Sequence, residues 1–306
     1  MGNESAIDFS GQVAIVTGAG NGLGRLHALA LAQRGAKVVV NDLGGARDGT
    51  GASASAVQRV VDEIRSAGGE ALANGASVTD YDAVQAMVQQ AVDAWGRVDI
   101  LVNNAGILRD KSFTKMEIAD FRLVMDVHLM GAVHCCKAVW PHMNAQKYGR
   151  IVMTTSSSGL FGNFGQTNYG AAKMALVGLM QSLSIEGAKN DIRVNCLAPT
   201  AATRMTEELM TEAVLKALAP EAVVPALLVL ASRNAPSRAI LGAGAGTFEA
   251  AHITLTQGVW LGSDASAPER LAARLNEVTA RAGDIVPQSG AAQGSNEIGK
   301  ASAAAG

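Results

Sequence analysis

Short, almost continuously apolar runs alternate with longer stretches of helical period along the first two-thirds of the chain. The runs are Val13–Thr17, Lys37–Asn41, Ile100–Asn103, Ile151–Thr155 and Arg193–Leu197, with Ala71–Asn74 as a weaker member. A strand covered on both faces reads this way, because neither side meets water. Between them lie helical patterns over Leu23–Arg34, Ala52–Ala67, Asp80–Trp95, Ile118–Met143 and Tyr169–Lys189. Gly35 and Gly68-Gly69 stand where helices end, and Thr79 or Asp80 can cap the third helix at its start. Alternation of this kind predicts a single doubly wound parallel α/β sheet, Rossmann-like, with helices on both faces.

After Pro199 the pattern loosens. Met205–Leu218 is amphipathic and rich in Met and Leu, Glu221–Ser232 is a further helix, and alternation over Thr247–Thr256 predicts the last strand followed by a hairpin. The expected organisation is one domain over residues 7–260 and a helical extension over 261–287. Residues 288–306, mostly Ala, Gly, Ser and Gln, have no apolar period and are expected to be disordered.

Composition narrows the function. Of 306 residues, 17% are charged, and the net charge is −2. That balance carries no nucleic-acid footprint. The three cysteines give no disulfide framework, which fits a reducing compartment. The start, MGNESAIDFSGQ, is polar, and no apolar run is long enough to span a membrane. A soluble cytoplasmic protein is expected.

Glycine changes the picture most. It makes up 34 of the 306 residues and gathers where apolar runs end. The first run opens into Thr17-Gly18-Ala19-Gly20-Asn21-Gly22-Leu23-Gly24, and a helix follows. Such a turn brings backbone N–H groups up to a pyrophosphate at a helix N-terminus, where side chains would be in the way. The second run ends at Asp42, where a carboxylate can accept from ribose hydroxyls and repel a 2′-phosphate. That points to NAD, with Arg25 and Arg47 near enough in sequence to favour NADP instead.

Tyr169 and Lys173 are four apart, on one face of a helix. A cation beside a phenol favours the phenolate, which can exchange a proton with an alcohol. Ser156 falls at the end of the Ile151–Thr155 run, where open α/β sheets bind ligands, and can hydrogen-bond a substrate oxygen. Ser157 and Ser158 are read as turn residues. The histidines and cysteines have no zinc spacing, so no metal is expected.

Taken in order, the glycine-rich turn, Asp42, Asn103-Asn104-Ala105-Gly106, Ser156 and Tyr169 with Lys173 resemble the short-chain dehydrogenases/reductases over about residues 7–260. The stretches VVVNDLGG, NNAGILRD, YGRIVMTTSSSG and GNFGQTNYGAAK are similar to its hydroxyacyl-CoA dehydrogenase branch. The resemblance implies Tyr169 as acid/base, Lys173 as its activator and a ribose ligand, and Ser156 as the substrate-orienting hydroxyl. It implies Gly18, Asn21, Gly22, Leu23, Gly24, Asp42, Ser77, Val78, Asn104 and Thr203 around NAD. The reaction implied is oxidation of a secondary alcohol to a ketone, on a (3R)-3-hydroxyacyl-CoA or a 17β-hydroxysteroid. A homodimer or homotetramer is implied as well. Family members commonly carry Asn where this chain has His128, so the imidazole either joins the proton relay or packs as an ordinary helix histidine. A dinucleotide-sensing protein without catalysis is the rival class, and it would have no use for Ser156, Tyr169 and Lys173 together. Phe161, Phe164 and Ile107 are candidates to line an apolar pocket. Arg109 and Lys111 are either surface charges or partners for CoA phosphates. The final Ala-Ala-Ala-Gly is not a peroxisomal address.

Overall fold

A computed structural model of the chain describes residues 6–46, 48–51, 53–201 and 211–305. Eight strands form one sheet: β1 (Val13–Thr17), β2 (Lys37–Asn41), β3 (Ala71–Asn74), β4 (Ile100–Asn103), β5 (Gly149–Thr154), β6 (Ile192–Pro199), β7 (Ile240–Gly244) and β8 (Thr247–Ala251). Their order is β3-β2-β1-β4-β5-β6-β7-β8, and the pairs from β3 through β7 are all parallel. The order reverses at β1 and β4, which opens the crevice where doubly wound sheets bind ligands.

Period-two alternation sorts the strand residues by face. Ala14, Val16, Val38, Val40, Ile100, Val102 and Val152 join one buried cluster with helices α1 (Gly22–Gln33), α2 (Ser55–Ser66) and Val224–Ala231. On the other side pack α3 (Tyr81–Trp95), α4 (Ile118–Met125), α5 (Gly131–Gln146), a short α6 (Ser157–Phe161) and α7 (Thr167–Gly187). Helix α8 (Glu212–Ala217) and a 3₁₀ turn at Pro220–Val223 lead into α9, the Val224–Ala231 helix already placed. Two helical stretches, Ile118–Gln146 and Glu212–Ala231, are apolar and long enough to cross a bilayer. The first is folded into the layer over β4 and β5, and the second is interrupted by Pro220 and Pro225.

The structure departs from the sequence reading in three places. The stretch 118–143 is two helices joined by a wider π-type turn over Asp126–Met130, which carries His128. The Thr247–Thr256 run does supply the last strand, as β8 over Thr247–Ala251, but a further strand, β7, precedes it and the hairpin lies before it rather than after. The Ile-Leu-Gly-Ala-Gly sequence of β7 reads as a breaker but pairs with β6 over Cys196–Pro199. β8 then folds back through Ala245 and Gly246, both at positive φ (51° and 75°), the backbone a two-residue hairpin needs. Finally, Ala291–Ala305 is a helix (α12), where no ordered element was expected. Alanine is the strongest helix former, and Gln293 bonds Glu297 one turn on.

Chain contacts divide the protein into two compact units, residues 1–250 and 251–306. The second unit contains α10 (Ala267–Ala273), α11 (Leu275–Val278) and α12, with an antiparallel bridge between Leu255 and Ile285.

Candidate active site

The glycine-rich turn is built from three strands. β1 delivers Thr17, and Gly18 and Gly22 take positive φ of 63° and 53°. Asn104, just past β4, clamps the turn: its Nδ2 donates to the carbonyls of Thr17 (3.0 Å) and Gly18 (3.1 Å). A Cβ on Gly24 would stand 2.1 Å from the Gly18 oxygen and 2.5 Å from that Nδ2. A Cβ on Gly22 would meet nothing within 4 Å. So Gly24 is required by packing, whereas Gly22 keeps an open approach to the start of α1. The first turn of α1 holds no acidic side chain, and Asn21 at its cap makes no capping bond. The positive dipole end there is met by no acidic side chain of the first turn and suits an anion.

Asp42 holds the turn from the other side. Its carboxylate accepts from the Gly20 N–H at 2.8 Å and from the Gly44 N–H at 2.7 Å. Arg25 is ion-paired with Glu63 at the surface. Arg47 and Thr203 lie outside the described residues, as do Met205, Leu209 and Met210 of the Met/Leu stripe. Ser77 sits in a turn with its hydroxyl bonded to Thr79 (2.8 Å). Val78 is buried, its carbonyl accepts from Nδ1 of His134 at 2.9 Å, and its side chain presses on Gly131.

The reacting groups meet at the carboxyl end of β5. Ser156 caps α6, its hydroxyl accepting from the Ser158 N–H at 3.2 Å, and it lies near enough to the Tyr169 phenol to favour its ionised form. Lys173, one turn along α7, is buried with its Nζ 5.4 Å from the Tyr169 ring centroid. That Nζ donates to the Thr154 carbonyl at 2.6 Å. The Thr155 hydroxyl in turn donates to the Lys173 carbonyl at 2.7 Å, tying β5 to α7. Gly159 admits this contact, since a Cβ there would meet the Lys173 Cβ at 2.7 Å.

Burial sets the charges. It pushes the Tyr169 phenol above its usual value of 10, and the Ser156 hydroxyl opposes that. It lowers Lys173 from 10.5 to about 7. For the phenol, burial outweighs the protein groups that favour the phenolate. His128 stands edge-on to Tyr169, with ring centroids 5.2 Å apart. Burial, with Lys173 adding to it, holds the imidazole neutral, lowered to about 3. Its Nε2 lies 2.8 Å from the Ile107 carbonyl and 3.1 Å from the Ile107 N–H. A neutral ring nitrogen cannot donate and accept at once; the shorter contact favours an Nε2–H. Nδ1 then faces the interior as an unpartnered acceptor. His128, Lys173, Thr17, Asn103 and Val78 line one small cavity.

Other candidates separate. Ile107 is buried with Val124 and Ala172, whereas Phe161 (77% exposed) and Phe164 (90%) stand in solvent. Arg109 and Lys111 both pair with Asp120, at 2.6 and 3.2 Å. Two residues not singled out as site residues by the sequence reading hold the site together. The Thr17 hydroxyl accepts from the N–H groups of Asn104 and Ala105, and Asn168 is fully buried beside Tyr169. A polar residue at each edge of a motif was the only signal for either.

The short chain dehydrogenase family model matches residues 12–213, and the chain belongs to that family. It is an oxidoreductase with the family's Rossmann-like sheet. Peroxisomal multifunctional enzyme type 2 of Drosophila melanogaster is 53% identical over 228 residues, covering 74% of this chain and 38% of that protein. The solved full-length structure of that fly enzyme superposes with a TM-score of 0.78 at 36% identity, over 96% of this chain and 50% of the other. The chain thus spans half or less of the fly enzyme's length. A short chain dehydrogenase from Mycobacterium avium gives a TM-score of 0.77 at 38% identity, over 89% and 96% of the two chains. A 7α-hydroxysteroid dehydrogenase, solved with NADH and 7-oxo glycochenodeoxycholic acid, gives 0.72 at 32% identity, over 80% and 98%.

Proposed function

We propose that the protein oxidises a secondary alcohol to a ketone with NAD, the alcohol being a (3R)-3-hydroxyacyl-CoA. The observation that carries this reading is the meeting of Ser156, Tyr169 and Lys173 at the carboxyl edge of the sheet, beside the turn that Asn104 and Asp42 hold open. Gly18, Asn21, Gly22, Leu23 and Gly24 would hold the pyrophosphate, Asp42 the adenosine ribose, Ser77, Val78 and Asn104 the adenine and ribose side, and Thr203 the carboxamide. When bound, the oxidised dinucleotide supplies a hydride acceptor and a positive charge. Ser156 orients the alcohol oxygen. Tyr169 takes the hydroxyl proton, and Lys173 contacts the ribose and favours the phenolate. The Asp42 carboxylate supports NAD over NADP. Similarity to a hydroxy(phenyl)methylsuccinyl-CoA dehydrogenase subunit of Thauera aromatica, 41% identical over 188 residues, 61% of this chain and 72% of that protein, supports a CoA thioester substrate.

Turnover of CoA thioesters and of free steroids, each with NAD and NADP, tests the reading. Oxidation of the (3R)-hydroxyacyl-CoA with NAD, abolished in Tyr169→Phe, is expected. Turnover of free 17β-hydroxysteroid alone would replace the substrate. Dinucleotide binding with no turnover across the panel would leave a sensor. A homodimer or homotetramer is part of the same reading, supported by the small residues Ala171, Ala172, Ala175 and Gly178 along α7, although Ala172 is buried within the protomer; light scattering showing a monomer would remove it. A fluorescent fusion would decide between cytoplasm and peroxisome.

A further inference from the structure

We propose that Arg109 is a positioning residue that ties the loop carrying Asp42 to the catalytic Tyr169. This rests on the reading that the turn after β1 holds a dinucleotide. The loop after Asp42 leaves the end of β2 and closes on itself. Ser53 N–H bonds the Leu43 carbonyl (3.1 Å), Ala46 N–H bonds Thr50 (2.7 Å), and Gly49 N–H bonds Ala46 (3.0 Å). It contains Gly44, Gly45, Gly49 and Gly51, three of them at positive φ of 74°, 87° and 75°. A glycine-rich loop is entropically costly to hold in one shape, so its shape depends on what anchors it.

The anchors lie beyond β4. Arg109 Nε donates to the Asp48 carbonyl at 3.0 Å, and Gly49 lies against Ile107 closely enough that a Cβ would be 3.3 Å from it. Strand β1 lies between β2 and β4. A loop that starts at β2 and fastens beyond β4 therefore spans two strand spacings, roughly 10 Å, past the end of β1 and its glycine-rich turn.

The same arginine reaches the reacting groups. Its Nη1 pairs with Asp120 at 2.6 Å, which fixes the guanidinium on α4. Its carbonyl accepts from Asn168 Nδ2 at 3.0 Å, and Asn168 Oδ1 accepts from the Tyr169 N–H at 2.7 Å. Asn168 is fully buried, so this link is not shared with water. One residue thus joins the ribose-side loop, α4 and the first turn of α7. A planar guanidinium can hold a carbonyl and a carboxylate together; an ammonium on a flexible stem holds a single point.

The test compares Arg109→Ala, Arg109→Lys and Gly49→Ala. Without dinucleotide, amide exchange over residues 43–46 and 48–51 is expected to speed up in Arg109→Ala. NADH titration by fluorescence is expected to show affinity weakened about tenfold, the scale of one charge-assisted hydrogen bond. Asn168 bonds the main-chain carbonyl of residue 109, which Arg109→Ala keeps, so kcat at saturating dinucleotide falls only through the main-chain shift that losing the Asp48 and Asp120 contacts allows. Arg109→Lys keeps the Asp120 pair and the melting temperature and does not restore affinity. Gly49→Ala weakens affinity from the loop side, and its effect is less than additive with Arg109→Ala. A lowered melting temperature with exchange, affinity and kcat per folded molecule all unchanged would reduce Arg109 to a structural role and overturn the proposal. Failure of the unaltered protein to bind NADH or NADPH would instead overturn the functional reading, and this proposal with it.

Discussion

Two glycines in one turn are expected to fail in opposite ways. Gly24→Ala puts a methyl 2.1 Å from the Gly18 carbonyl oxygen and 2.5 Å from Asn104 Nδ2. Neither atom is the free end of a flexible chain; both belong to the clamp that shapes the turn. Relief means losing two hydrogen bonds, at about 1 kcal/mol each, and overpacking the turn at roughly 1–3 kcal/mol. Alanine returns about 1 kcal/mol of helix propensity. The net cost is about 2–4 kcal/mol, a large share of a typical stability of about 5–15 kcal/mol.

Gly22→Ala meets nothing within 4 Å and has only its positive φ of 53° to overcome. That is roughly 1 kcal/mol. Its methyl would, however, project into the open approach to the start of α1. Urea denaturation should therefore rank Gly24→Ala well below Gly22→Ala in stability. NADH titration of the folded protein should show Gly22→Ala losing at least tenfold in affinity, about 1.4 kcal/mol. Equal destabilisation by both substitutions, or a Gly24→Ala protein within about 1 kcal/mol of the unaltered one, would refute the packing assignment.

Three further outcomes follow from buried groups. His27 is fully buried with neither ring nitrogen partnered, and burial lowers it to about 4. The unfolded chain takes up that proton first as pH falls, so native stability drops between the ordinary 6.5 and about 4. His27→Leu should stabilise by about 1 kcal/mol at neutral pH and by more under acid, read by urea denaturation at two pH values; destabilisation at both would show that the imidazole has a partner. Lys173 stays near 7 in the folded protein against 10.5 unfolded, so its penalty is full below 7 and fades as pH rises to 10.5. Lys173→Met should flatten the gain in melting temperature over that window, and an unchanged slope would count against the burial assignment. Because the Ser156 hydroxyl lowers the Tyr169 phenol, Ser156→Ala should shift the pH profile of residual alcohol oxidation to the alkaline side; an acid shift would contradict it.

Legibility from the sequence divided along physical lines. Strands buried on both faces announce themselves, so β1, β2, β4, β5 and β6 were readable to within a residue or two. β7 was not, because Gly242 and Gly244 look like breakers until the neighbouring strand is known; a Cβ on Gly244 would lie 2.6 Å from the Thr200 oxygen. Glycine there serves a close approach, a tertiary fact with no local period. The spacing of Tyr169 and Lys173 and the place of Ser156 after an apolar run were legible because helix and strand geometry are local. Asn168 and Arg109 were harder: the bond between them joins residues 59 apart in sequence.

The charge balance of the site was the least legible part, and it alters how the phenol must be activated. A lysine four residues from a tyrosine suggests an ammonium beside a phenol. The Lys173 Nζ instead donates to the Thr154 carbonyl, and burial drives lysine, phenol and imidazole alike toward their neutral forms. A site made of neutral groups costs little to bury, because no uncompensated charge is taken out of water. His128 is neutral in that setting too. It is clamped through Nε2 to Ile107, and Gly106 is kept open for it, since a Cβ there would meet its Cε1 at 2.3 Å. An aromatic ring held neutral to about 3 stands edge-on to Tyr169 without placing a further cation beside the phenol.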